Sequence, residues 1–370
     1  MVENDSAGEF IYAVAELWRH THDLAMLQRL WPKVEAATRH MEGLRQSERI
    51  AANTEGARAS WWGLMPASIS HEGYSDKPMH SYWDDFWALR GYKDAAQIAA
   101  SLGHVEQAAS FATWRDEFEH DLVASIRTSS AQHRIGFIGG AAELGDFDAT
   151  STTIALALAQ VQDRLPQDLL NGTFERYWRD AVARRDGQRE WSDYTPYELR
   201  NVGAFVRLGQ PDRAHELLAW FFGHQRPAGW NQWAEVVGSN ERQPRFLGDM
   251  PHAWISSDFI RSALDMLAYE RESDHALVLA AGVPRGWLRD GVAVKGLSTA
   301  HGPLSYRLQQ RGESIQLQVS DGLTLPAGGV VLAWPGNDAL PRATVDGRSA
   351  EWSGRELRID HLPALVTLTP

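Results

Sequence analysis

The stretch Phe10-Ile-Tyr-Ala-Val-Ala-Glu-Leu-Trp-Arg-His-Thr-His-Asp-Leu-Ala-Met-Leu-Gln-Arg-Leu-Trp-Pro-Lys-Val34 decides the fold class. Phe10, Val14, Leu17 and Trp18 make one apolar stripe at helical spacing, and Leu24, Leu27, Leu30, Trp31 and Val34 make the next. Two helices therefore follow each other closely, the second starting at Asp23. The same spacing runs on to about Tyr269 and predicts helices near 81–102, 104–128, 149–162, 166–185, 196–208, 211–224 and 254–269. Ser81, Thr150 and Pro211 mark starts. The total is about nine helices.

The connections alternate in length. Leu102-Gly103-His104 and Leu208-Gly209-Gln210-Pro211 are tight, whereas 50–80, 130–148, 186–195 and 225–253 are long. Hairpins of that kind, stacked around an axis, bring every long loop to one end, where loops can build a single site. After about Glu270 the period changes to two: Val292–Leu297, Leu304–Leu308, Ile315–Val319, Val330–Trp334, Leu357–Ile359 and Leu365–Leu368 read as short strands with turns at Arg311-Gly-Glu313 and Asp346-Gly347. The expected architecture is mainly α, helical (α/α) hairpins stacked around an axis over 1–270, then a small antiparallel β-sandwich over 271–370. The sandwich carries no carboxylate cluster of its own and reads as a lid or brace, with a carbohydrate-binding module as the alternative.

Composition narrows the function. The 370 residues allow two or three domains, and 44% apolar with 23% charged residues is the balance of a soluble globular chain. Lys and Arg number 36 against 48 Asp and Glu, a net charge of −12, which repels nucleic-acid phosphates and anionic lipid. The absence of cysteine removes thiol nucleophiles, disulfides and Cys-ligated metals. No apolar run reaches the ~18 residues of a spanning helix, and Met1–Phe10 resembles no export signal. The chain as written is expected to be soluble, cytoplasmic or, if truncated, periplasmic or secreted. The outlier is tryptophan: 16 residues, several in polar, turn-rich segments. Indole faces stack on the C–H faces of sugars, and indole N–H bonds hydroxyls, so loop tryptophans beside carboxylates point to a carbohydrate partner.

Four loops hold the candidates. The first has Trp61, Trp62, His71, Glu72 and Tyr74, followed by His80, Trp83, Asp84, Asp85 and Trp87. Adjacent acids on a helix point about 100° apart, so Asp84 and Asp85 cannot both cap and one is expected to be free. The second holds Glu143, Asp146 and Asp148, with Asp148 in N-cap position. The third, Glu190–Arg200, offers Tyr194, Tyr197 and a Glu198–Arg200 pairing. The fourth has Trp230, Trp233 and Glu235, then Pro251-His252 before the last helix. Glycoside hydrolysis needs one carboxyl to protonate the leaving oxygen and another to activate water or attack, and a Glu in a Trp-flanked apolar stretch suits the second task. Substrate contacts are assigned to Trp61, Trp62, His71, Glu72, His80, Trp83, Asp84, Trp87, Asp146, Tyr194, Tyr197, Trp230, Trp233 and His252.

Taken in order, these loops resemble those of the six-hairpin glycosidases, and within them the α-L-rhamnosidase-type barrel with its C-terminal sandwich. The carrying residues are Trp230-Asn-Gln-Trp-Ala-Glu235 with Pro251-His252 after it, and Trp83-Asp-Asp-Phe-Trp87 opening a long helix. The resemblance implies a six-hairpin (α/α)6 toroid, complete or open, over 1–270, a general-base role for Glu235 in an inverting reaction and a sugar contact for His252. The family's Asp-Cys-Pro-x-Arg motif, which carries its general acid, is missing, and twelve helices would be needed where about nine are read. A preceding segment absent from the chain, or an open barrel, is therefore expected. The acid is sought at Asp85, Glu143 or Asp5, in that order, and rhamnose specificity is not carried over.

Two other readings compete. A polysaccharide lyase or sugar epimerase would use Tyr194 or Tyr197 with His252, and a non-catalytic sugar-binding or scaffolding protein would use no acid at all. No cofactor and no metal site are expected, with a calcium ion on Asp146 and Asp148 left open. Sugar, linkage and oligomeric state are not legible in the sequence.

Overall fold

The computed structural model describes residues 3–71, 73–243, 246–334 and 339–370. The chain packs as two compact units, one ending at Tyr177 and the other beginning at Trp178.

The first unit contains α1 (Ser6–Thr21), α2 (Leu24–Glu48), α3 (Tyr82–Ser101), α4 (Val105–His133), α5 (Ala149–Ala157) and the first half of α6 (Gln167–Arg185). α3 is its centre: Tyr82, Trp83, Phe86, Leu89, Tyr92 and Ile98 point in all directions and are fully enclosed, as expected of a helix that is apolar around its circumference. α1 reaches α3 backbone to backbone. A Cβ on Gly8 would stand 2.2 Å from the Trp87 carbonyl oxygen, and one on Gly91 would stand 2.9 Å from the Gly8 Cα, so the crossing requires glycine on both helices. Charges buried by this crossing are matched: Arg19 donates to Asp94 Oδ1 at 2.8 Å, and Arg90 Nε donates to Asp94 Oδ2 at 2.8 Å.

Helix starts follow capping chemistry. Asp23 accepts the Met26 N–H at 2.9 Å, Ser81 accepts the Trp83 N–H at 3.3 Å, and Asp148 accepts from Thr150 and Ser151. α4 runs five residues past the expected 128, until Arg134 turns left-handed at φ 56°. α5 stops short of 162 because Leu158 N–H and Ala159 N–H both donate to the Ile154 carbonyl, at 3.2 and 2.8 Å, and the chain turns. The first long loop contains two 3-10 turns, Ala51–Asn53 and Gly56–Trp61.

The second unit takes in the rest of α6, then α7 (Arg200–Arg207), α8 (Pro211–Gly223) and α9 (Ala253–Leu267). Among the described residues nine α-helices precede the C-terminal sheets. α7 packs on α9, held by a bidentate bond from Arg207 to Asp265 at 2.7 and 2.9 Å and by Ser262 Oγ donating to the Leu199 carbonyl at 2.8 Å. Between helices, β1 (Asp193–Tyr194) pairs with β2 (Val237–Gly238), tying the third long loop to the fourth.

All six expected strands are present, with four more. The strands are β3 (Ala268–Arg271), β4 (Ala276–Leu279), β5 (Val292–Thr299), β6 (Gly302–Arg311), β7 (Ser314–Val319), β8 (Val330–Ala333), β9 (Arg342–Val345), β10 (Arg348–Ala350), β11 (Glu356–Ile359) and β12 (Ala364–Thr369). They form a six-stranded sheet, β10-β9-β12-β7-β6-β5, and a four-stranded sheet, β11-β8-β4-β3. Leu277, Leu279, Val330, Leu332 and Ile359 of the small sheet share one core with Leu304, Leu308, Leu317, Val319 and Val366 of the large one. β4 and β8 are parallel, a departure from a wholly antiparallel design: three hairpin-linked strands of the other sheet intervene, and the chain re-enters beside β4 in the same direction. α9 ends two residues before the expected Tyr269, because the Ala280 N–H donates to the Leu267 carbonyl at 2.9 Å and draws the chain into the sheet. No helix among the described residues is long and apolar enough to cross a membrane.

Candidate active site

In the first unit the candidates gather around His80 and the first turn of α3. The His80 backbone N–H donates to both oxygens of Glu143, at 3.1 and 3.0 Å, and His80 Nδ1 bonds Glu143 Oε1 closely. His80 Nε2 faces Glu48 Oε2 at 3.5 Å, and the Trp61 indole stacks on the imidazole with centroids 4.8 Å apart. Burial works against a charge here, but the bonds to Glu143 and Glu48 outweigh it and raise His80 to about 9, so the ring is an imidazolium at neutral pH. His80 in turn holds Glu48 below its ordinary value.

Asp84 and Asp85 begin α3, yet neither caps it, since Ser81 does. Burial pushes Asp84 up to about 7; the Ser68 and Ser70 hydroxyls, donating at 2.5 and 2.9 Å, oppose that push and Asp5 adds to it. Burial also raises Asp85 well above the usual carboxylate range, against the Met65 N–H that donates to Oδ1 at 2.9 Å. Asp85 Oδ2 has no hydrogen-bond partner among the described residues and the side chain has no exposure, so the carboxyl favours its protonated form. Asp5 accepts the Trp83 indole N–H at 2.8 Å. His71 stacks on the other indole surface with centroids 4.7 Å apart, and its Nε2 lies 3.7 Å from Asp148. Asp146 receives the Tyr74 hydroxyl at 2.9 Å and the Ala141 N–H at 3.0 Å.

In the second unit the fourth loop is a short ladder. The Glu235 N–H donates to the Asp249 carbonyl at 3.0 Å, Gly248 N–H to the Val236 carbonyl at 2.9 Å, and His252 N–H to the Trp233 carbonyl at 2.9 Å. Val237 pairs with Tyr194 on one side and Leu247 on the other, which holds the backbone two residues after Glu235. Its carboxylate lies against Gly248, where a Cβ would come within 3.2 Å of Oε2. The Glu235 side chain is half-buried and its carboxylate has no hydrogen bond or ion pair among the described residues. His252 caps α9 through Nδ1, which accepts the Ile255 N–H at 3.4 Å, and its ring meets Tyr197 edge-on at 5.7 Å.

The structure thus brings His80, Glu143, Trp61, Asp84, Asp85, Trp83 and His71 together in one unit, and Glu235, Trp233, His252, Tyr194 and Tyr197 together in the other. Several sequence expectations are corrected. Trp83 and Asp85 have no exposure, and Asp84, Trp87, Tyr194 and Trp233 are buried, so none presents a surface to solvent. These segments read as polar, but α3 is the core of its unit, and Trp233 is enclosed by Phe222 and Phe259. Glu198 pairs with Arg184 at 2.9 and 2.6 Å, and Arg200 with Asp258 at 2.9 Å, rather than with each other. Trp230 is 64% exposed, while Trp61 and Trp62 are half-buried. Glu72 lies outside the described residues. Glu48, at the tail of α2, was not singled out by the sequence, where it reads as an ordinary surface acid.

A helical region with elaborated loops is followed by two C-terminal sheets. Comparison with solved structures makes this more specific: the fold is α-L-rhamnosidase-like. The α-L-rhamnosidase of Streptomyces avermitilis, solved with L-rhamnose, matches 99% of this chain with a TM-score of 0.54 at 14% identity. That of Dictyoglumus thermophilum matches 96% with a TM-score of 0.53 at 11% identity. The chain spans only 33% and 38% of those two proteins. No protein-family model matches the chain, and no curated protein does.

Proposed function

We propose that this chain carries glycoside-hydrolase chemistry of the inverting kind on an oligosaccharide or polysaccharide, with Glu235 as general base. The observation behind this reading is the state of Glu235. Among the described acids singled out in the four loops it alone is both half-exposed and unbonded, while its backbone is held by the ladder to 246–249. A carboxylate held rigidly, with free lone pairs and water access, is what deprotonating a nucleophilic water requires. The proton donor is proposed among Glu143, Asp85 and Asp5. Each is constrained in its own way: Glu143 is 17% exposed but accepts from the His80 backbone and ring, Asp85 favours its protonated form but is sealed, and Asp5 accepts the Trp83 indole N–H. Trp61, His71, Trp230 and His252 are the proposed sugar contacts of the reaction. The helical residues 1–270 carry the chemistry, and the sheets of 271–370 supply no catalytic residue.

The test is hydrolysis of a panel of aryl glycosides, α-L-rhamnopyranoside included, with the product anomer read by proton NMR. Glu235→Gln should lower kcat about 10²–10⁴-fold, the usual yield of general-base catalysis, without moving the melting temperature. Full activity in this variant overturns the assignment. A lyase or epimerase reading has one observation in its favour, the Tyr197–His252 ring contact. It would show as an ultraviolet-absorbing unsaturated product, or an isomer, with no oxygen-18 taken up from labelled water.

A further inference from the structure

A groove of about 270 Å³ lies on the first unit between the turn at Asn53, the Trp62 indole and the face of α4 bearing Asp121, Ala124 and Thr128, with Glu48 standing between Asn53 and His80. Its polar wall is nearly buried, with Asn53 1% and Asp121 7% exposed, and both side chains are held in fixed orientations. The Asn53 amide NH₂ donates to the Glu48 carbonyl and to Glu48 Oε2, at 2.9 and 2.7 Å. Asp121 Oδ2 lies 3.0 Å from Arg45 and 3.3 Å from Arg49. Neither Asn53 Oδ1 nor Asp121 Oδ1 receives a hydrogen bond from the described residues. Two oriented acceptors on nearly buried side chains are therefore open to donors from water or from a ligand in the groove.

The surroundings restrict the ligand. Arg45 and Arg49 pair with Asp121 and Glu117, and Arg45 also with Glu42, so the charges beside the groove are matched among themselves and none is left over to hold a free cation. An anion would meet the carboxylates of Glu48, Glu117 and Asp121 at the same wall. A neutral polyol brings hydroxyl donors for the two oxygens and C–H faces for the half-buried indole. We propose that this groove is an accessory site for one neutral sugar residue, with Asn53 and Asp121 accepting from its hydroxyls and Trp62 flanking its ring. The choice of a sugar among polyols rests on the carbohydrate reading above.

The probes are L-rhamnose, D-glucose, D-mannose, D-xylose and myo-inositol, titrated into the full chain while the Trp62 indole N–H resonance, assigned with Trp62→Phe, is followed. At least one sugar should move that resonance with an affinity on the order of millimolar. Ala124→Trp, at an exposed position of α4, fills the groove and should weaken the response at least tenfold with the melting temperature unchanged. Sugars that leave the resonance still, or that move it equally in Ala124→Trp, overturn the proposal, and a response to inositol alone replaces the sugar with a general polyol and overturns it equally. Aryl-glycoside turnover is scored separately. Turnover with a silent groove defeats this inference alone, and a responsive groove without turnover defeats the hydrolase reading alone.

Discussion

His80 is the residue whose replacement says most about the first unit. Its imidazolium sits between Glu143 and Glu48 under the Trp61 ring, and its value rises from 6.5 to about 9. At 1.36 kcal/mol per decade that difference is worth about 3 kcal/mol of folding free energy. The sign follows from the direction. The folded chain binds this proton more tightly than the unfolded chain, so the contribution is complete below pH 6.5 and is lost as pH rises through about 9. Asp84, raised to about 7, adds a slope of its own at lower pH, but that slope is common to both proteins compared. Urea unfolding of the wild type and His80→Gln, across the window from about pH 7 to about pH 9.5, isolates the histidine. The wild type should lose about 3 kcal/mol over that range. The variant should start about 3 kcal/mol less stable, because Glu48 and Glu143 are left without their cation, and should stay nearly flat. Equal slopes in the two proteins would refute the clasp.

Two further substitutions test how the helices pack. Gly8→Ala places a methyl group 2.2 Å from the Trp87 carbonyl and should destabilise by at least 1–3 kcal/mol, roughly the range for overpacking, whereas Gly43→Ala in α2, with open space around it, should be neutral or slightly stabilising. Thermal melts of the pair decide it, and a Gly8→Ala chain that melts with the wild type removes the close α1–α3 crossing. Arg207→Met leaves Asp265 buried without its cation and should cost about 3–5 kcal/mol by urea unfolding, while adding Asp265→Leu should restore most of the loss; no restoration by the second change would mean that Arg207 acts through packing alone.

What could be read in the sequence divides along the distance between partners. The helices were legible because a stripe such as Leu24, Leu27, Trp31, Val34 and a cap such as Asp23 accepting from Met26 are settled within a turn or two. The ladder that fixes Glu235 is equally local, since Asp249, Gly248 and His252 belong to the same loop. The α3 acids were misread for the opposite reason. Adjacent carboxylates do point apart, but whether either meets solvent depends on α1 lying against α3 through Gly8 and Gly91, and on Asp5 taking the Trp83 N–H across 78 residues. Glu198 and Arg200 fail as a pair by helix geometry alone, because residues two apart do not share a face; Glu198 instead finds Arg184 fourteen positions back. The same limit hid the Glu48–His80–Glu143 contact, where a solvent-type glutamate at a helix tail and a loop glutamate 63 residues after His80 converge on one ring. Residue types announce which chemistry is available, but burial decides which of them can use it, and burial here is set by contacts longer than any motif. Glu235 is half-buried in a loop whose own backbone holds it, and the proton donor is the one that activity measurements on Glu143, Asp85 and Asp5 variants have to separate.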